Sequence, residues 1–512
     1  MLNSIKASIK DTFIFGFGNV AVKIIGFILI PLYTNPKYFS VDDFGIIGIL
    51  DISGLVLISI FTTFLPQSLT RWYWGKDNVS TQKEIFFMSL LSQVGVSILF
   101  CMLLIPLSGS FSALIFGNTD WDLAIKFIII SSALQGINNI INTLLRLHAK
   151  SMVFMVTNLL KLLIVLVLTI FFITNKEMGV EGIYLAQIIG NFLIILLLLP
   201  FTVRNCSVGF NRETLKAMIM YGLPLVLASF SAVMLNVIDR YTLNALTTLK
   251  YLAIYTLAYK ISSSLKLIFV DTIKLAVFPQ MIKRLDSPDN KRFYSKTMLY
   301  SSFAVMFGII GVSLFSTEVI KFLSQNPELW TAYVLVPVLS VSYFFMNLRE
   351  VSIYGLIVAK KTHKISLIVT ISAVFNILAN LLLIPLWNAM GAAIATLMSQ
   401  FLYWGLMHYI AQRIYFIPYE NRKLLILFLT GTALSFAGFL MDDMDLILRL
   451  LIKFLCIAAF PFILSVFNFY EPAELQAIRG FYKKWSRLTK LGENLRSLKN
   501  IKDESDQPQL NI

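Results

Sequence analysis

Charge is what this sequence most lacks. Of its 512 residues only 14% are Asp, Glu, Lys or Arg, against 57% hydrophobic; a soluble protein is about a quarter charged. With so few charges, a chain of this length cannot cover a globular surface, which excludes a water-soluble multidomain enzyme. Histidine and cysteine are scarcer still, at three each. Cys101, Cys206 and Cys456 are odd in number and far apart, so they suggest neither a disulfide framework nor a metal-ligand spacing. His148, His363 and His408 are equally scattered, and the first two read as solvated loop residues. No Walker pattern is present, which excludes a built-in ATPase. No cofactor, metal or catalytic residue is expected.

Apolar runs are what the sequence has instead. Fourteen stretches are long enough to cross a bilayer, from Phe13–Thr34 to Leu446–Phe467, with Tyr251–Thr272 and Trp330–Asn347 the weakest. They predict an all-α polytopic membrane protein. Phe13–Thr34 exceeds the ~7–15 residues of a signal core and no small-x-small site follows it, so it is expected to remain as the first membrane helix.

The net charge of +15 is explained by position. With an inner N-terminus, most Lys and Arg residues fall on the inner face, as orientation requires. The outer face receives Lys37, Lys126, Lys176, Arg240, Lys250, Lys321 and Arg449, together with acids such as Asp42, Asp43 and Asp120. No nucleic acid is needed to account for the basic balance. Beyond Glu471, residues such as Leu475, Ile478, Tyr482 and Trp485 recur at three- and four-residue steps among Arg479, Lys483 and Lys484. That pattern predicts a basic amphipathic helix on an anionic membrane surface.

The two halves resemble each other. Glu181 to Leu193 (EGIYLAQIIGNFL) matches Met390 to Leu402 (MGAAIATLMSQFL), with Gly182/Gly391, Ala186/Ala395, Phe192/Phe401 and Leu193/Leu402 identical. Phe44-Gly45-Ile46 matches Leu252-Ala253-Ile254. The expected organisation is a six-helix bundle over 1–201, a cytoplasmic linker over 202–216 and a second six-helix bundle over 217–411. Two further helices over 412–470 and a tail over 471–512 complete it. Repeats of even helix number are parallel and related by an axis along the membrane normal, with a substrate site between them.

The stretches FGFGNVAVKIIGFILIPLYT and DDFGIIGIL, the Asp239-Arg240-Tyr241 segment followed by LAIYTLAYKI, and GVEGIYLAQ with MGAAIATLMSQ resemble bacterial polysaccharide flippases of the Wzx type. These belong to the superfamily that also holds the lipid II flippases and the MATE antiporters. The resemblance covers about residues 10–470. It implies two bundles around a cavity that opens alternately to each side of the bacterial inner membrane, with both termini cytoplasmic. The implied partners are undecaprenyl-diphosphate-linked oligosaccharide, membrane lipids and other polysaccharide assembly proteins. A lipid II flippase and a drug antiporter remain alternatives within the superfamily. A membrane enzyme of polysaccharide assembly would need a converging acid–base cluster that the sequence does not offer.

Ionisable residues deep in a span are functional candidates by default. Lys23, Lys161 and Lys260 lie centrally in their runs, roughly 15 Å of helix from either end for Lys23. Lys266 is nearer the inner end. These lysines, with Arg146, are the candidates for a cationic cavity that replaces water around a diphosphate. Asp51 is the opposing mid-span acid. It either neutralises one lysine or couples transport to an ion. Gln135, Asn139, Asn142 and Arg146 share one helical face, as do Asn376 and Asn380; the amides would either contact sugar hydroxyls or join packed helices.

Overall fold

The computed structural model describes residues 27–62, 65–75, 81–285, 287–441, 444–472 and 475–476. Lys23, most of the first apolar run and the tail beyond 476 lie outside the described residues.

All regular elements among the described residues are helical. The first half contributes α1 (Val41–Thr62), α2 (Gln82–Leu104), α3 (Asp122–Leu147), α4 (Ser151–Thr174) and α5 (Gly179–Arg204). The second opens with α6 (Arg212–Leu246) and α7 (Leu249–Leu265), which runs through a π-turn (Lys266–Val270) into α8 (Asp271–Lys283). It continues with α9 (Asn290–Leu314), α10 (Leu335–Ser352) and α11 (Thr362–Ile414), followed by α12 (Asn421–Ala437) and α13 (Leu446–Val466). Eleven helical stretches among the described residues are long and apolar enough to cross a membrane. One of them, within α11, is two helices: Asn388, at φ 49° and ψ −127°, breaks it between two of the fourteen apolar runs of the sequence, Ile365–Leu386 and Ala389–Ala411.

Short polar residues set the helix starts. Thr81 and Glu84 form a reciprocal capping box at α2, Asn211 caps α6 and Asp445 caps α13. Each satisfies amide groups that the first helical turn leaves without an intrahelical partner.

Equivalent positions of the repeat do equivalent work. α4 and α5 form one tight hairpin, and the two limbs of α11 form another. Gly182 lies where the first turns back: an added Cβ would sit 3.0 Å from the Phe172 Cβ. Gly391 lies at the second, where an added Cβ would be 2.1 Å from the Leu383 carbonyl oxygen. Small residues at these two places let the limbs approach.

One apolar core joins both halves, with Phe44, Ile47 and Tyr184 packed among Leu252, Tyr255 and Leu257. A second lies within the later helices and includes Tyr294, Met306, Phe344 and Phe460 of α13. Where the chain leaves α13, Lys296 of α9 bridges Glu420, at 2.7 Å, and Glu471. The hydrogen bond from Lys296 lowers the Glu471 pKa, so the start of the tail is tied to the bundle by a charged pair.

Candidate functional site

Helices α1 and α7, the repeat-related pair, run side by side in the same direction. Gly45 packs on Leu249 and Gly48 on Thr256, where added Cβ atoms would lie 2.6 and 2.5 Å from the nearest oxygens. Five residues beyond Gly48, Ser53 of α1 and Tyr241 of α6 share a hydrogen bond of 2.8 Å. Gly45→Ala meets backbone and cannot be absorbed by a rotamer change, so it is expected to destabilise the protein by about 1–3 kcal/mol, the usual cost of overpacking. Gly54→Ala, whose Cβ would meet only Ile128 at 3.7 Å, is the neutral control in a thermal melt.

At this interface Lys260 of α7 donates to Asp51 of α1 at 3.2 Å. Tyr184 of α5 donates to the other Asp51 oxygen at 3.4 Å. The rings of Phe44 and Tyr33 lie 5.6 and 5.8 Å from the Lys260 ammonium. Side chains of the pair remain 24% and 37% exposed, so it borders open space rather than solid core. Of the two roles weighed for Asp51, the geometry provides neutralisation, and Lys260 is not an unpaired cation.

Lys161 is different. Among the described residues it has no carboxylate within ion-pair distance, and its Nζ donates to the Gln135 side-chain oxygen. Gln135 donates to Asn139 at 3.0 Å, and Asn139 to Thr62 at 2.9 Å. This relay of amides links α4, α3 and α1, and its members are half-buried. Arg146 is exposed at the end of α3 and donates to Thr143 at 3.0 Å. Asn142 faces inward with its side-chain oxygen unsatisfied. Lys266 is half-buried in the π-turn.

Asn376 and Asn380 belong elsewhere. Both are buried; Asn376 donates to Ser399 at 2.9 Å and Asn380 to Asn376 at 3.2 Å. Asn376 joins the limbs of α11 and Asn380 bonds to it from the same limb, contacts of the polar-glue kind. His148 also departs from expectation: it is half-buried, lies 2.5 Å from the Tyr73 hydroxyl and packs edge-on against Phe201. Burial, with Lys150 nearby, lowers its pKa.

Two basic residues counted on the outer face are buried within helices. Arg449 of α13 is buried and pairs with Glu318 at 2.8 Å. Arg240 of α6 is buried, donates to the Asn236 carbonyl at 2.6 Å and lies over the Tyr259 ring at 4.1 Å. Its neighbour Asp239 accepts from Tyr255. Apolar-run counting stops at charges, so it left this network in a loop; Tyr255 and Tyr259, four apart on the same helix, were the signal available.

The sequence pattern of the polysaccharide biosynthesis protein family matches residues 8–285, just over half of the chain. The chain belongs to this family. Two uncharacterised membrane proteins of Methanocaldococcus jannaschii are similar to it. One is 25% identical over 229 residues, 44% of this chain and 45% of the relative, so the matched region spans less than half of that protein. The other is 25% identical over 381 residues, covering 70% and 87%. Among solved structures, the lipid II flippase MurJ in an inward closed conformation superposes with a TM-score of 0.72 at 13% identity, covering 93% of this chain and all of that one. An inward-facing multidrug resistance MATE transporter of the MOP superfamily gives 0.59 at 14% identity, covering 80% and 98%. This family member is therefore a multi-pass membrane protein with the fold shared by MurJ and the MATE transporters.

Proposed function

We propose that the protein moves a lipid-linked, diphosphate-bearing oligosaccharide across the bacterial inner membrane, from the cytoplasmic to the periplasmic leaflet, as Wzx-type flippases do. The two halves would alternate around a hydrated cationic cavity with Lys161 on its wall and Lys23 contributing. The observation that carries the reading is Lys161, an intramembrane ammonium offered to amides and to no carboxylate among the described residues. A lone charge in hydrocarbon is expensive, and a transported anion is the partner that justifies it. By contrast Asp51, Asp239, Glu318 and Glu350 each sit against a lysine or arginine. That arrangement leaves these acids unsuited to a cationic drug and disfavours the antiporter reading. A lipid II flippase is the second reading, favoured by the match of the whole fold to MurJ; its substrate is also a lipid-linked diphosphate.

The test is reconstitution in vesicles carrying an undecaprenyl-diphosphate-linked oligosaccharide on the inner leaflet, followed by its exposure to an external glycosidase. Protein-dependent exposure of the oligosaccharide, without transport of a cationic dye, is expected. Dye transport with no glycan exposure would overturn the proposal, and exposure of lipid II alone would select the second reading.

A further inference from the structure

Two adjoining concavities on the first half lie away from the α1–α7 interface. One, of about 510 Å³, is half polar and half apolar and lies at the membrane end poor in basic residues, with Ser108, Thr119, Asp122 and Lys126 among its lining. The other, of about 410 Å³, is an apolar groove between α2 and α3 whose walls include Val94, Ile98, Met102, Ile130 and Leu134. Ile105 and Pro106 line both, so the two concavities adjoin. Ile98 and Met102 are 50% and 70% exposed, which leaves the groove open to the bilayer along its side. Ser97 within it is turned to protein, bonded to Gln93 and the Ala133 carbonyl.

The dimensions fit one leaflet. From Lys126 to Ile137, both on α3, is about 16 Å of helix at 1.5 Å per residue, half of a hydrocarbon core of about 30 Å. The charges fit one kind of head. Lys126 pairs with Asp122 at 2.6 Å, both a third or more exposed, and Ser108 donates to the same carboxylate. The ammonium keeps donors for a phosphate, and the carboxylate keeps lone pairs for a cation. The pair is neutral overall, so a net-neutral head is matched on both sides while a diphosphate with two or more negative charges is not.

We propose that these two cavities are the head and tail sites of a single bound phospholipid with a zwitterionic, phosphoethanolamine-type head. The site is distinct from the transport path and does not depend on it. Its test is native mass spectrometry of the purified full chain, titrated with phosphatidylethanolamine or phosphatidylglycerol of identical acyl chains. Wild type is expected to retain the zwitterionic lipid at least about tenfold better, the ratio one charge-assisted hydrogen bond supplies. Asp122→Asn is expected to erase the preference, because the carboxylate is the group that meets the ammonium phosphatidylglycerol lacks, and Met102→Trp, at an exposed position, to reduce retention of both lipids by filling the groove. Equal retention by wild type, preference for phosphatidylglycerol, or a preference that survives Asp122→Asn would each overturn the proposal. Retention unchanged by Met102→Trp would overturn the tail site.

Discussion

Glu318→Gln is expected to lower stability by about 3–5 kcal/mol, the cost of removing one partner from a buried ion pair. Glu318 receives Lys453 on both oxygens, at 2.8 and 2.9 Å, and Arg449 at 2.8 Å. Lys453 is completely buried within a helix long and apolar enough to cross the membrane. Without the carboxylate, the buried ammonium of Lys453 faces low-dielectric surroundings with only a neutral amide beside it. That helix packs on α9, where Phe460 stacks on Phe303, so its loosening should spread into the second apolar core. A thermal melt of the detergent-solubilised protein reads the effect. Lys453→Met added to Glu318→Gln should recover part of the loss, because it removes the ammonium that has lost its carboxylate. A single variant that melts with wild type would show that the cluster is solvated and contributes little.

Lys161→Met is expected to have the opposite signature. Transport of the diphosphate-linked substrate should fall roughly ten- to hundredfold, since a charge-assisted hydrogen bond contributes about 1.5–3 kcal/mol. Stability should be unchanged or raised, because the variant removes an intramembrane charge that has no carboxylate among the described residues. Lys161→Arg should retain part of the transport while changing its substrate preference, as a planar fork grips phosphate differently from a mobile point charge. Vesicle transport and thermal melting on the same preparations separate the cases. Lost transport together with lost stability would mark Lys161 as a packing residue joined to Gln135, and normal transport would remove it from the substrate path.

Much of the fold was legible because lipid leaves the backbone few options. Long apolar runs must become helices when no water is available for their amide groups, and the break at Asn388 falls between two runs read from composition alone. The glycines matched across the repeat, Gly182 and Gly391, reappear at two equivalent hairpins. Arg240 was left in a loop, and Arg449 was assigned to the outer face although its run contained it, for the converse reason: a charge looks solvated until its partner is known. For Lys453 of the same cluster that partner is 135 residues away.

The sequence by itself determined a helical membrane protein, most of its helix boundaries, its duplicated plan and its candidate intramembrane charges, because hydropathy and periodicity are local properties. Which charges are spent on structure was decided only in three dimensions. Lys260 meets Asp51 across 209 residues, and Asn376 turns to Ser399 rather than to a cavity. Lys161 is left facing amides. Whether a buried charge is neutralised depends on the few ångströms around it, and chain order does not encode that distance.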